Sequence, residues 1–200
     1  MGHAGAHPAA IETPHTATGL DNRKLGMWAF LGSECLFFGS LISSYLLYRG
    51  RSLVGPYPED VYDIPYTSVS SFVLLMSSLT MVLALNAIQR GDQRKLRAWL
   101  LATALLGITF VGGQVFEFTV FVEEGLTIQR NLFGTSFFVL TGFHGAHVTI
   151  GVLMLLTLFG QSTAGYLPVE KALRVELVGL YWHFVDVVWI VIFTIVYLIP

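Results

Sequence analysis

The sequence predicts an all-α fold: a polytopic membrane bundle of five transmembrane helices, with the N-terminus inside and the C-terminus outside. Three observations predict it. Hydrophobic residues make up 54% of the 200 and charged residues only 12%, about half the charged share of a soluble globular domain. Five apolar segments each reach the roughly 20 residues that cross a hydrocarbon core of about 30 Å at 1.5 Å per residue. The Lys and Arg residues fall unevenly on the two sides that those segments define.

The segments span residues 25–48, 66–89, 98–122, 133–159 and 177–200. A mean hydropathy of +0.67 leaves more apolar surface than a soluble chain of this length can bury, so lipid is part of the solvent. Open strands cannot satisfy their backbone groups in lipid, and the alternating pattern of a membrane barrel is absent, so each segment reads as a helix. None carries Pro before the terminal Pro200. Residues 1–22, rich in Ala, Thr, Pro and His, read as a flexible tail without the basic region and short apolar core of a secretory signal. His3, His7 and His15 fall in it. Residues 23–200 then form one five-helix domain, and no inverted repeat divides it.

With the N-terminus inside, eight of the eleven cations face the cytoplasm: Arg23, Lys24, Arg90, Arg94, Lys95, Arg97, Lys171 and Arg174. Arg49, Arg51 and Arg130 remain outside, and such a bias over short loops sets orientation. The first outer loop carries Pro56, Pro58 and Pro65 with Glu59, Asp60 and Asp63, and the second carries Glu123 and Glu124, which suits ordered docking loops. A net charge of -2 without a basic block argues against nucleic acid as a partner. The single Cys35 lies in an apolar run and reads as a small hydrophobe.

Six ionisable residues fall within the spans: Glu34, Glu117, His144, His147, His183 and Asp186. Each costs about 2.5–3.5 kcal/mol at a helix centre, so each marks a position with a task. Counted from the helix ends, Glu34, His144, His147, His183 and Asp186 share a layer near the midplane, while Glu117 approaches the outer interface. Gly32, Leu36, Gly39 and Ser43 form a smooth stripe suited to close helix packing. Glu34 lies on the opposite face with Phe30, Phe37, Phe38 and Leu41, which is the face of a pocket, or of a carboxyl that is simply protonated or hydrogen-bonded to a neighbouring helix. His144 and His147 are one turn apart, as are His183 and Asp186, and a His–Asp pair can neutralise itself inside a bundle. The Glu-x-x-His signature of helical di-iron bundles is missing, and three histidines are too few for two haems and a copper, so these residues read as buried structural polar groups without metal.

Four motifs stand out in chain order: Ser33-Glu34-Cys35-Leu36-Phe37-Phe38, Gln114-Val115-Phe116-Glu117-Phe118, the run 134–151 centred on Gly142-Phe143-His144-Gly145-Ala146-His147, and Tyr181-Trp182-His183-Phe184-Val185-Asp186. Together they resemble cytochrome oxidase subunit III. The resemblance covers nearly everything from Leu25 onward. It implies a subunit with no redox centre and no catalytic residue of its own, packed on subunit I, which holds the haems and the oxygen-reducing copper, with subunit II beside it. It implies a multi-pass protein of the bacterial plasma membrane in a proton-pumping aa3-type cytochrome c oxidase, or in a quinol oxidase, whose third subunit also has five helices. Longer members hold phospholipid in a cleft before the last five helices, and this chain matches only those five. Glu34 matches the family's membrane-buried, carbodiimide-reactive glutamate, implying support of proton uptake and durability in subunit I. Without the resemblance, a proton or ion transporter using Glu34, His147 and Asp186 as a relay is the rival reading.

Single cysteines placed at residues 90–97 in a Cys35→Ser background should react with an impermeant reagent only after the membrane is opened. External labelling of that loop in intact cells would overturn the orientation.

Overall fold

A computed structural model describes residues 21–49 and 63–199, together with Gly19, Arg51 and Gly55. The expected tail lies outside the described residues except for Gly19, Asp21 and Asn22, as do Pro56, Pro58, Glu59 and Asp60 of the first outer loop. The helices are α1 (Asn22–Tyr48), α2 (Ile64–Gln89), α3 (Gln93–Glu123), α4 (Leu132–Thr163) and α5 (Ala172–Phe193). A 3-10 turn (Val169–Lys171) leads into α5 and a π-helical turn (Thr194–Leu198) ends it. All five spans are long and apolar enough to cross a membrane, and no strand occurs among the described residues.

The helices begin earlier than the apolar segments, by up to five residues for α3 and α5. Hydropathy marks the part that lipid surrounds, whereas the helix continues outward until a side chain caps its free N–H groups. Asp21, Asp63, Asp92 and Asn131 do this, each accepting from a backbone N–H two or three residues on. The Lys95 N–H and then its side chain hold the Asp92 carboxyl below the usual carboxylate range. Gly91, with φ +74°, takes the left-handed conformation that turns α2 into α3 within three residues.

Helices α2 to α5 form a core. Helix α2 packs most extensively on α3, α3 next on α4, and α5 lies against both α2 and α4. Trp182 of α5 is the element they share. Its indole N–H donates to Ser77 of α2 over 2.9 Å, and its ring lies against the backbone of Gly107 on α3 and Gly151 on α4. Two turns on, Trp189 donates to Ser71 of α2 over 2.9 Å, meets the edge of Phe110 on α3, and stacks on His144 of α4. Polar bonds add to this, with Thr80 and Thr103 joining α2 to α3 over 2.8 Å and Gln114 of α3 donating to the Thr141 carbonyl of α4 over 2.8 Å.

Helix α1 sits outside that core, against α4 and α5. It buries a narrow seam, Leu31, Phe38 and Tyr45, spaced seven residues apart. Its ends are tied by charge. Lys24 pairs with Glu176 at 2.6 Å, and the Arg49 guanidinium donates to the carbonyls of Ile195 and Ile199. At the Lys24 end, Gln93, Arg97 and Ser162 form a polar cluster joining the start of α3 to the end of α4.

The stripe of Gly32, Leu36, Gly39 and Ser43 does not pack as expected. It faces outward, with Leu36 78% exposed and nothing within 4 Å of a Cβ built at Gly32 or Gly39. The small residues that carry close packing are Gly107 and Gly151, where a Cβ would stand 2.6 Å and 2.8 Å from the Trp182 ring. Gly151→Ala and Gly107→Ala should therefore destabilise the chain by about 1–3 kcal/mol, the usual cost of overpacking. Gly32→Ala should leave the unfolding midpoint in detergent unchanged. Equal midpoints for all three variants would remove Trp182 from its place in this packing.

Candidate functional site

The expected midplane layer is present, and it divides into two clusters with a buried ring between them. Glu34, Ser78, His147 and His183 each lie within two residues of the midpoints of Asn22–Tyr48, Ile64–Gln89, Leu132–Thr163 and Val169–Leu198. The first cluster joins α1 to α4. His147 Nε2 stands 3.2 Å from Glu34 Oε2, and His147 Nδ1 stands 2.7 Å from the Phe143 carbonyl of its own helix. A carbonyl only accepts, so Nδ1 carries a proton. The Glu34 bond then needs one more proton between imidazole and carboxyl, and the pair is neutral overall on whichever side that proton sits. Neutrality is what permits two ionisable side chains at this depth.

Glu34 makes a hydrogen bond to a neighbouring helix, and Phe37 and Phe38 pack beside it: Phe37 meets Phe143 edge-on at 5.2 Å, and Phe38 meets His147 at 5.0 Å. Phe30 stacks on Tyr181 at 6.3 Å, and the Tyr181 hydroxyl donates to the His147 carbonyl over 3.0 Å. An apolar groove of about 390 Å³ does lie further along α4 and α5, lined by Ile150, Met154, Leu158 and Val178, with Gln161 and Arg174 at its end. Arg174 donates to Gln161 over 3.1 Å.

The second cluster joins α2 to α5. His183 and Asp186 do not neutralise each other directly, as their spacing suggested. Ser78 stands between them, its hydroxyl donating to Asp186 Oδ2 and lying 3.0 Å from His183 Nδ1. Asp186 is buried and His183 half-buried. Between the clusters, His144 is fully buried and held as a ring, stacked on Trp189 at 4.8 Å with the Phe110 edge at 5.9 Å. Neither of its nitrogens has a hydrogen-bond partner among the described residues. Glu117 lies nearer the outer end, where Thr67 of α2 donates to it over 2.6 Å and the Tyr197 hydroxyl reaches the same carboxyl. The proposed relay of Glu34, His147 and Asp186 is not assembled, because Asp186 belongs to the other cluster. Among the described residues, no three His, Cys, Asp or Glu side chains converge as a metal site.

Sequence reasoning missed the serines. Ser71, Ser77 and Ser78 receive or bridge the polar atoms of α5, and their signal was present as hydroxyls recurring near a seven-residue interval in an otherwise apolar span.

Comparisons with known proteins cover nearly the whole chain. Residues 6–199 match the family profile described as Cytochrome c oxidase subunit III. The chain belongs to the cytochrome c oxidase subunit III family. It is 39% identical over 195 residues to cytochrome c oxidase subunit 3 of Bacillus sp. (strain PS3), covering 98% of this chain and 94% of that one. It is 36% identical to the cytochrome bo(3) ubiquinol oxidase subunit 3 of Pseudomonas aeruginosa, covering 98% and 93%. Identity to cytochrome c oxidase subunit 3 of Thermostichus vulcanus is 36%, covering 100% and 98%. The chain is thus a subunit III of a haem-copper oxidase, a component of an oxidoreductase complex.

Glu34→Ala leaves His147 Nε2 without its partner and should lower stability by about 1–3 kcal/mol, the cost of an unpaired buried group, whereas Glu34→Gln should lose less. In a double-mutant cycle, His147→Ala should cost little more once Glu34 is Ala. Additive losses, read from unfolding midpoints in detergent, would show that the two side chains do not act as a pair.

Proposed function

We propose that the chain is the non-redox third subunit of a bacterial aa3-type cytochrome c oxidase, packed on subunit I in the plasma membrane, with its N-terminus in the cytoplasm. Haems and copper belong to the partner subunits. This chain supports the durability of subunit I and its uptake of protons. The observation that carries the reading is the use made of intramembrane polar residues. Glu34 is spent on His147, Glu117 on Thr67, and His183 and Asp186 on Ser78, so the groups bind helices together and are not gathered around a reacting centre. The orientation rests on the cations, whose contacts place Lys24 near Glu176 and Arg97 near Ser162 at one end of the bundle.

A quinol oxidase is the second reading, favoured by a relative of that type at 36% identity, close to the cytochrome c type. The electron donor is met by other subunits, so residues of this chain do not discriminate. We place a bound phospholipid in the groove between α4 and α5, its acyl chain against Ile150 and Val178 and its anionic headgroup toward Arg174.

An oxidase purified without this chain should keep its haem spectrum and begin oxygen consumption near the normal rate. It should then lose activity within fewer turnovers than the complete enzyme. A complex inactive from the first turnover with normal haem content would place the chain in the chemistry. Equal lifetimes would remove the support role, and activity with quinol but not with reduced cytochrome c would select the second reading.

A further inference from the structure

The Ser78–His183–Asp186 cluster differs from the Glu34–His147 pair in one respect: it is not closed. Ser78 Oγ bonds both Asp186 Oδ2 and His183 Nδ1. Whichever tautomer the ring takes, its Nδ1 is used there and its Nε2 is left as a free donor or acceptor. It has no partner among the described residues, and the ring is only half-buried. The second oxygen of Asp186, Oδ1, is buried and also unpartnered.

Depth makes this informative. His183 stands at the middle of the span Val169–Leu198 and Ser78 near the middle of Ile64–Gln89. In hydrocarbon at that depth a polar atom left without a partner is costly. The surface around it is otherwise apolar and open. Leu75 and Val82 lie about one turn on either side of Ser78, and Val187 and Ile190 one and two turns beyond His183, exposed by 37%, 50%, 57% and 44%. A lipid tail satisfies the apolar rim and leaves the nitrogen unpaired. A protein helix satisfies both.

We propose that this α2–α5 face is where a transmembrane helix of a haem-bearing partner subunit docks, presenting a hydrogen-bonding side chain at the bilayer midplane to His183 Nε2. The proposal rests on the oxidase reading above, and it adds the face and the chemistry of the contact. That side chain fixes depth and rotation of the partner helix, because a slip of one turn along α5 moves it about 5.4 Å from the His183 ring. The apolar rim supplies the contact area.

The test uses the oxidase purified from its own membranes, with a photo-crosslinking amino acid at Val82 or Val187. Illumination should join this chain to a haem-bearing subunit from both positions. Adducts only with lipid, or only with a second copy of this chain, while the haem subunits still co-purify, would overturn the docking face and leave the oxidase reading standing. Purification free of haem subunits would overturn the reading and the proposal together. His183→Leu should weaken retention of this chain on the haem subunits during detergent washing about threefold to tenfold, the range of one interhelical hydrogen bond, and His183→Gln should restore most of it. Retention is compared only for variants whose helix content and Trp fluorescence match the parent. Unchanged retention of such a His183→Leu chain would overturn the polar contact at His183.

Discussion

The indole of Trp182 is the contact on which the arrangement of α2, α3, α4 and α5 depends. Lipid tails are as apolar as leucine, so helices in a membrane gain nothing from merely hiding apolar surface against one another. They associate where surfaces fit closely and where a polar bond would otherwise go unmade. Trp182 meets both conditions at once: its flat ring fills the space left by Gly107 and Gly151, and its N–H finds Ser77. Trp189 repeats the device two turns further on with Phe110, His144 and Ser71. Two rings on one helix thus reach three others, and the lateral positions of the four are set together.

Helix α1 has no such wedge. Its seam of Leu31, Phe38 and Tyr45 is one residue wide, and its midplane attachment is the Glu34–His147 bond. Helix α1 is thus held by that seam, the Phe30–Tyr181 and Phe37–Phe143 ring contacts, the Glu34–His147 bond and its two end contacts, all outside the Trp-centred core.

Much of this was legible in the residues. Hydropathy found all five spans, because lipid forces a long apolar run to be helical. The caps at Asp21, Asp63, Asp92 and Asn131 were not read from the sequence, because hydropathy marks only the lipid-facing part of each helix. The ionisable layer followed from counting 1.5 Å per residue. Partners were harder to read. Counting depth puts His183 and Asp186 at one level but does not say that Ser78 comes between them. Nor does a stripe of Gly32 and Gly39 reveal that it points away from the chain, while Gly107 and Gly151 receive a tryptophan. Spacing gives height and angle on one helix; rotation of that helix against its neighbours is decided by contacts between residues about 30 to 105 positions apart, which no local pattern carries.

The two midplane clusters show how a few protons divide internal from external roles. At His147 the Phe143 carbonyl takes the Nδ1 hydrogen, and Glu34 satisfies the other nitrogen, so every polar atom of the imidazole is answered within the chain. At His183 the Ser78 hydroxyl bonds Nδ1, and nothing among the described residues answers Nε2. Burial alone would not separate them, since both histidines are half-buried at the same depth. What separates them is whether the second nitrogen meets a partner. A closed pair holds its own helices; an open one leaves a polar atom facing outward among apolar side chains.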